Sequence, residues 1–458
     1  MRNSACGLGA MALVNSLERF SLINSLAQSA LATDYKALVC IFLEGGNDGN
    51  NLVIPYDDYN APGGYNAVRG ASPLAVPQSA LLQISPPSQA GHKFGFHSSV
   101  TELQALFNQQ KLAVLCNVGP LVQPITRAQY QSDAGTHPYQ LFSHPDQRNS
   151  QQNSMAESPS QIGWGGRMAD ALDGVNGSAP LPMVISVAGT TLFATGLHTR
   201  QLALPPAPAS LNSIFFIDYV FISDPEEVTR LEALHRIPAD PGAGVLAKTY
   251  ADALGQGFLT GQSLSTDPVL QTTFPNTSIG NQLKQVAKLI SIRSTLGLNR
   301  QIFFCQLLGF DTHTNQRGGG VSTQDSLLQQ LSAGMKAFYD ASVSLGVSNQ
   351  VTTFTLSDFG RTFEPSGAGA GVGTDHAWGN HQLIMGGAVR GGDFFGTFPA
   401  LAMGGPDDAD SRGRWIPTTS VDQYGATLAR WYGLPDANIP DVFPFINRFA
   451  SSNLGFLL

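Results

Sequence analysis

Charged side chains are scarce in this sequence. They make up 13% of its 458 residues, and the formal net charge is −8. That share is about half of what a typical globular protein carries. No run of lysine and arginine stands out along the chain. Because a nucleic-acid-binding protein needs a basic surface to neutralise phosphates, we expect no nucleic acid among the partners of this protein.

Long apolar segments and cysteines are also few. After the N-terminal region, no window reaches the roughly eighteen apolar residues that a membrane span needs, so we expect no span in the mature chain. Three of the four cysteines lie in apolar runs typical of strands, at Cys40, Cys116 and Cys305. An odd number of thiols in core strands predicts buried free cysteines rather than a disulfide framework.

The N-terminal segment has the features of an export signal. Residues 5–14 are weakly apolar, Arg2 precedes them, and Ala30-Leu31-Ala32 fits a cleavage site. Glycine and alanine at this density are typical of twin-arginine export, and we hypothesise that the missing arginine pair lies upstream of the given start. The alternative is an ordinary amphipathic helix. We expect residues 1–32 to be removed on export to the periplasm or the medium, and residues 33–458 to form one domain.

Apolar runs alternate with helical patterns along the rest of the chain. A continuous apolar run predicts a strand buried on both faces, and strand–helix–strand order predicts a parallel sheet. The predicted fold is therefore α/β, with a doubly wound, mostly parallel sheet flanked by helices. The predicted strands are 37–43, 112–118, 182–188, 300–308, 350–356 and 383–389, and the predicted helices are 100–107, 162–172, 226–234, 282–290, 324–345 and 421–431. In the helix 324–345, the core residues would be Leu327, Leu328, Leu331, Met335, Phe338 and Val343.

Aspartates follow several of the predicted strands. Asp48 comes after the first strand, Asp311 and His313 follow the strand 300–308, and Asp358 follows the strand 350–356. Ligands bind beyond the carboxyl ends of parallel strands, and aspartate with histidine suits a divalent metal ion. Two plain alternatives remain, namely a simple turn at Asp48 and a structural ion pair between Asp358 and Arg361.

A second cluster of metal-binding residue types lies at residues 373–381. It contains Asp375, His376 and His381, between a glycine-rich run and a short apolar run. The glycines disfavour a helix, so the cluster is expected on a loop that leads into a core strand. The mixed nitrogen and oxygen donors predict a divalent ion, with zinc, calcium, magnesium and manganese all open. The alternative is a polar surface loop without a ligand.

A long polar stretch separates residues 119 and 160. Loops of this length are usually functional or disordered. Ser143, His144 and Asp146 are candidates for a place near the site, and either Thr126 or Ser143 is a candidate hydroxyl nucleophile. The alternative is that all of them are solvated loop residues.

Five motifs in order resemble a known family. They are Gly45–Gly49, Phe310–His313, Ser357–Thr362, Thr374–His376 and Gly386–Gly392. Together they resemble the bacterial exported proteins grouped as a domain of unknown function and often labelled twin-arginine signal proteins. The resemblance extends over nearly the whole chain. That family is placed by similarity in the alkaline phosphatase and sulfatase superfamily, so the resemblance implies an alkaline phosphatase-like fold.

The resemblance also implies an activity and a set of site residues. It implies an exported hydrolase of phosphate or sulfate esters that uses two divalent ions, with Arg361 pairing with the oxygens of a small anionic ester. The superfamily commonly spaces its Asp/His pair more widely than Asp311 and His313, and has histidine where Phe359 stands. The alternative is a non-catalytic exported protein that keeps the fold and binds a surface or a polymer. The implied metal ligands are Asp48, Asp311, His313, Asp358, Asp375, His376 and His381.

Overall fold

The computed structural model describes residues 34–213, 226, 229, 245–318 and 320–458. The expected signal at residues 1–32 and most of the helix expected at 226–234 lie outside the described residues. Within the described ranges, no helix combines the length and apolar character needed to cross a membrane. All three cysteines in these ranges are buried free thiols, which confirms the expectation for Cys40, Cys116 and Cys305.

A nine-stranded sheet forms the centre of the described structure. Its strands run in the order β11-β5-β10-β9-β1-β8-β6-β7, and β12 pairs with β5. A second sheet has three antiparallel strands in the order β2-β4-β3. The strands are β1 Lys36–Leu43, β2 Val53–Pro55, β3 Leu82–Ile84, β4 Phe94–Phe96, β5 Leu112–Gly119, β6 Val184–Ser186, β7 Leu202–Ala203, β8 Arg300–Leu307, β9 Val351–Ser357, β10 Asn380–Gly386, β11 Phe394–Phe395 and β12 Thr419–Ser420.

Strand direction decides which chain ends meet at one edge of the sheet. β1 pairs in parallel with both β8 and β9, and β6 pairs in parallel with β8. β10 is antiparallel to its neighbours β9 and β5. The carboxyl ends of β1, β8 and β9 therefore lie at the same edge as the amino end of β10. Segments far apart in sequence come together there.

Helices cover both faces of this sheet. Val39 and Ile41 of β1 belong to a core that also contains residues of α3, α8 and α9. Their neighbours Cys40 and Phe42 belong to a separate core with residues of α6 and α10. The helices are α1 Gly49–Leu52, α2 Tyr65–Arg69, α3 Thr101–Asn108, α4 Arg127–Gln131, α5 His144–Asn153, α6 Trp164–Ala171, α7 Val245–Ser263, α8 Ser278–Ser291, α9 Gln324–Ser344, α10 Val421–Tyr432 and α11 Ile439–Val442. This mostly parallel sheet with helices on both faces confirms the predicted fold class.

Three local predictions need correction. The strand predicted at 383–389 spans Asn380–Gly386, so His381 is a strand residue and not a loop residue. The polar stretch 119–160 is not simply a loop, since it contains α4 and α5. Val343 is 51% exposed and is not part of the core, because it lies in the last turn of α9 on the face turned towards solvent.

Candidate metal centre

Three imidazoles and one carboxylate meet at the sheet edge described above. They belong to His144, Asp311, His313 and His376, and one ligand atom from each lies within 4.8 Å of the others. His144 is the first residue of α5, Asp311 and His313 follow β8, and His376 precedes β10. The strand-end positions explain the meeting, because these ends share one edge of the sheet.

The carboxylate of Asp311 lies at the middle of the group. Its Oδ1 atom is 3.3 Å from Nε2 of His144, 3.1 Å from Nε2 of His313 and 3.6 Å from Nε2 of His376. The Nε2 atoms of His313 and His376 are 2.8 Å apart. All three rings thus direct the same ring nitrogen towards one point.

The other nitrogen of each ring contacts an acceptor. Nδ1 of His144 is 2.8 Å from a carboxylate oxygen of Asp358, and Nδ1 of His313 is 3.1 Å from one of Asp375. Nδ1 of His376 is 2.7 Å from the carbonyl oxygen of Phe142. An ionised carboxylate and a carbonyl can only accept hydrogen bonds. Each Nδ1 is therefore protonated, and in the neutral form of each ring Nε2 presents a lone pair.

This donor set fits a divalent metal ion. Three lone pairs facing one carboxylate repel each other unless a cation lies between them. Nε2 of His144 is buried and forms no hydrogen bond, as expected of a free ligand atom. Histidine ligands whose other nitrogen is held by a carboxylate or carbonyl are the usual arrangement at protein metal sites. The four residues fit a metal with nitrogen and oxygen ligands.

Arg361 supports the carboxylate from inside the protein. Its side chain is buried, and its Nη2 donates to Oδ1 of Asp311 at 2.8 Å. Burial alone would raise the pKa of Asp311, but the charge of Arg361 outweighs it and holds that pKa below its ordinary value. Nε and Nη1 of Arg361 are buried and form no hydrogen bond. These two buried donors have no partner among the described residues.

Two predicted ligands contact the histidines rather than the common point. Asp358 is fully buried, accepts from the backbone N–H of Gly45 at 3.1 Å and holds His144. Asp375 holds His313 and also contacts Arg412 at 2.8 Å. Burial raises the pKa of Asp375, but its hydrogen bonds and Arg412 bring it down to about 2. Asp375 is therefore ionised at neutral pH, and both carboxylates orient their histidines.

Asp48 and His381 do not lie with the four donors. The carboxylate of Asp48 is buried against Arg69, with Nη1 of Arg69 2.7 Å from Oδ2. The Nδ1 atom of His381 accepts from the backbone N–H of Asn117 at 3.3 Å, and its ring stacks on Phe398. Burial lowers the pKa of His381 to about 4, so this imidazole is neutral. Sequence position at a strand end did not reveal these partners.

The two candidate nucleophiles have different surroundings. Ser143 is the N-cap residue of α5, directly before His144, and its Oγ donates to a carboxylate oxygen of Asp146 at 2.5 Å. Thr126 caps α4 and exchanges hydrogen bonds with Gln129 in an exposed capping box. Of the two hydroxyls, only that of Ser143 adjoins a metal-binding residue in the chain.

Sequence reasoning did not place His144 among the ligands. It named His144 only as a residue near a site, within a stretch treated as a loop. The local signal for a helix start was nonetheless present, since Ser143 is a good N-cap, Pro145 follows at the start of the helix and Asp146 lies in its first turn. A histidine at the first position of a helix is held in a fixed direction.

Solved structures similar to this chain share little of its sequence. No curated protein matches the chain. Three solved structures illustrate the similarities found. The C-terminal periplasmic domain of EcEptC from Escherichia coli, in complex with Zn, has 11% identity and a TM-score of 0.30, covering 77% of this chain and 73% of its own. The PsFucS1 sulfatase from Pseudoalteromonas sp. has 9% identity and a TM-score of 0.34, covering 92% and 72%. The phosphonate monoester hydrolase SpPMH from Silicibacter pomeroyi has 10% identity and a TM-score of 0.34, covering 90% and 77%.

A family model also matches the sequence. The family described as "Protein of unknown function (DUF1501)" matches residues 35–408. The matched range contains all four donors of the metal centre, as well as Arg361 and Asp358. On this match over most of its length, the chain belongs to the DUF1501 family.

Proposed function

We propose that this protein is an exported metal-dependent hydrolase of phosphate or sulfate esters. The observation that carries the proposal is the convergence of three Nε2 lone pairs on the carboxylate of Asp311. The metal ion would be held by His144, Asp311, His313 and His376. Three nitrogen donors suit zinc or manganese better than calcium or magnesium, which prefer oxygen ligands.

The centre is open to a ligand from outside. The side chain of Asp311 is 48% exposed and that of His313 is 43% exposed, whereas Arg361 is buried beneath them. A bound divalent ion would supply positive charge that polarises an ester oxygen and stabilises charge developing on the transferred group. The free Nε and Nη1 donors of Arg361 would bind other oxygens of the same group.

Ser143 is the hydroxyl that we propose as nucleophile. Its Oγ already donates to Asp146, which would accept the proton as the oxygen attacks. The new bond joins Oγ to the phosphorus or sulfur atom, the bond to the ester oxygen breaks, and the leaving oxygen takes the proton from Asp146 and departs as the alcohol. Water then attacks the enzyme-bound ester and gives one proton to Asp146, phosphate or sulfate is released, and Oγ of Ser143 takes that proton back from Asp146.

One observation favours a second candidate function. Four protein donors complete a tetrahedral shell, and closed shells are typical of structural zinc sites. The protein would then be a non-catalytic exported protein that binds a surface or a polymer. An ion that takes five or six ligands, such as manganese, would leave positions open for an ester and favours the enzyme.

The deciding experiment combines metal analysis with a substrate screen. Protein beginning at residue 33 is purified, its metal content is measured, and it is tested on aryl sulfates, aryl phosphates and aryl phosphodiesters before and after chelation. We expect chelator-sensitive hydrolysis that is lost in Asp311→Ala together with the metal. Ser143→Ala should keep the metal and lose turnover. Bound metal without turnover on any of these esters would refute the enzyme and favour the binding protein, and protein that takes up no metal would refute both.

A further inference from the structure

We propose that the centre takes a single divalent ion and selects monoanionic oxyanion esters over dianionic ones. Sulfate monoesters and phosphodiesters share this chemistry, since both carry one negative charge on a tetrahedral group. Phosphate monoesters carry close to two at neutral pH. The part about esters rests on the proposed hydrolase function, whereas the part about the ion does not.

Asp48 is a metal ligand that the family resemblance implies but that lies apart from the four donors. Both of its carboxylate oxygens are already in use. Oδ2 is 2.7 Å from Nη1 of Arg69 and accepts from Gln316 at 2.7 Å. Oδ1 accepts from the backbone N–H of Asn50 at 3.1 Å and from Nη2 of Arg69 at 3.3 Å. No lone pair of this carboxylate is free for a metal.

Arg69 cannot easily be displaced by an ion. Its side chain has no exposed surface, and its remaining donors contact the backbone carbonyls of Thr362 and Phe363, each at 2.8 Å. The guanidinium group is therefore a fixed cation that neutralises Asp48 and ties it to the segment that carries Arg361. Moving it would leave a buried carboxylate without its counter-charge and two carbonyls without partners, which is costly.

Several charged side chains surround the place of the proposed ion. Asp311, Asp358 and Asp375 contact the donor histidines, and Arg361 contacts Asp311. Arg412 joins Asp375 to Glu364, at 2.8 Å from each. These four carboxylates, two guanidinium groups and one divalent ion sum to zero, and the carboxylate of Asp146, which accepts from Ser143, adds one negative charge. The ion-paired side chains further out, Arg414 with Asp410 and Arg148 with Glu44, add no net charge.

A loaded centre without net positive charge discriminates between substrates by their charge. A monoanionic ester can place its one charge against the ion and the free donors of Arg361. A dianionic ester brings a second negative charge for which the described residues of the centre offer no unpaired cation. Each unmatched charge near others in a partly desolvated site is unfavourable. We therefore expect dimethyl phosphate or methyl sulfate to bind better than methyl phosphate.

The number of ions is tested by native mass spectrometry of the full mature chain loaded with zinc. We expect one ion per chain in the wild type and in Asp48→Asn, and none in Asp311→Asn. Two ions in the wild type, falling to one in Asp48→Asn, would overturn the proposal. Because Asp48→Asn leaves Arg69 unpaired and is a folding risk, the wild-type stoichiometry alone decides the point if that variant does not fold.

Charge selectivity is tested without turnover. Cobalt-loaded protein is titrated with dimethyl phosphate and with methyl phosphate, which differ by one methyl group and about one charge, and the visible cobalt spectrum reports binding. We expect the monoanion to bind at least about fivefold more tightly at low salt. Equal or tighter binding of methyl phosphate would overturn the charge argument.

A variant outside the ligand set provides the matched test. Glu364→Gln removes one carboxylate from the outer ion pair with Arg412 and leaves all four donors in place. We expect the ratio of the dissociation constants for methyl phosphate and dimethyl phosphate to fall by about two- to threefold in this variant. An unchanged ratio would contradict the charge argument.

The experiments can refute the proposed hydrolase function and this inference independently of each other. Preferential hydrolysis of aryl phosphate monoesters would refute the inference and keep the function. Monoanion-selective binding without hydrolysis of any ester would keep the inference about charge and refute the function. Turnover of aryl sulfates alone, or of aryl phosphodiesters alone, would identify which monoanionic ester is the substrate.

Discussion

Asp358 offers the sharpest test of the metal centre, because it should control metal affinity without touching the metal. Its Oδ2 holds Nδ1 of His144 at 2.8 Å, and its Oδ1 accepts from the N–H of Gly45 at 3.1 Å. In Asp358→Asn, one oxygen becomes an N–H₂ group. The N–H₂ group of the new amide then lies against either the N–H of Gly45 or the protonated Nδ1 of His144, which places two donors opposite each other. The second arrangement forces His144 into the tautomer that presents N–H, and not a lone pair, to the metal.

The expected loss can be estimated from similar arrangements. Removing the partner that holds a metal-binding histidine typically lowers metal affinity about 10- to 100-fold, which is about 1.4 to 2.8 kcal/mol. We expect a loss in this range for Asp358→Asn at pH 8, measured by zinc competition with a chromophoric chelator. Asp340→Asn is the matched control, since it makes the same chemical change on α9, where Asp340 pairs with Lys336. That control should bind zinc as the wild type does.

The pH dependence separates this role from a general effect on folding. The hydrogen bond from His144 to Asp358 raises the pKa of His144 above its ordinary value of about 6.5. Metal must displace that proton, so wild-type affinity falls as the pH drops through the raised pKa. In Asp358→Asn the pKa of His144 is lower, so proton competition begins at a lower pH. The affinity gap between the two proteins should therefore narrow from pH 8 to pH 6. A pH-independent gap, or wild-type affinity in Asp358→Asn, would refute this reasoning.

Three further predictions concern other buried groups. Burial lowers the pKa of His381 to about 4 from about 6.5 in the unfolded chain, so the stability that the neutral ring contributes is complete above about pH 7.5 and is lost as the pH falls towards 4. In His381→Gln, the free energy of unfolding measured by denaturant titration should therefore decline by up to about 3 kcal/mol less over that window. A decline equal to that of the wild type would contradict this prediction. Arg361→Lys keeps the positive charge beside Asp311 but loses the planar, forked guanidinium group. Dimethyl phosphate should therefore bind the cobalt-loaded variant about tenfold more weakly, with unchanged metal content. Anion binding as tight as in the wild type would rule out contact between the anion and this side chain. Burial raises the pKa of the thiols of Cys40, Cys116 and Cys305. A chromogenic thiol reagent should therefore label none of them in the native protein and all three after unfolding. Fast labelling of the native protein would disprove their burial.

Much of the fold could be predicted from local pattern. Apolar runs gave the positions of β1, β5 and β8 to within a residue or two, and β-branched residues gave that of β9. The start of β10 and the last turn of α9 were predicted less accurately. The start of β10 carries Asn380 and His381, which are polar yet buried, so hydrophobicity placed the strand too late. Val343 follows the helical spacing of α9 but lies in its last turn, where the core no longer covers it.

The candidate site was only partly predictable, because its partners come from distant segments. Asp311, His313 and His376 were named from their places beside predicted strands, and these three lie together. Asp48 has the same kind of position, but its carboxylate pairs with Arg69, which lies in a loop-rich stretch with no pattern pointing to Asp48. A strand-end position puts a side chain at the correct edge of the sheet. Whether that side chain is free to bind a ligand depends on long-range contacts that spacing does not encode.

The direction of β10 explains how the third histidine reaches the centre. Parallel strands β1, β8 and β9 end at this edge, and the residues after them include Glu44, Asp311, His313 and Asp358. Because β10 runs the other way, the segment before it crosses the same edge and brings His376 to the site. His144 comes from the start of α5 and is fixed by Asp358, so one of the acidic groups becomes an orienting partner. Reversal of a single strand therefore adds one imidazole to those of His144 and His313, and three nitrogen donors favour a different class of metal ion from that favoured by a purely acidic edge.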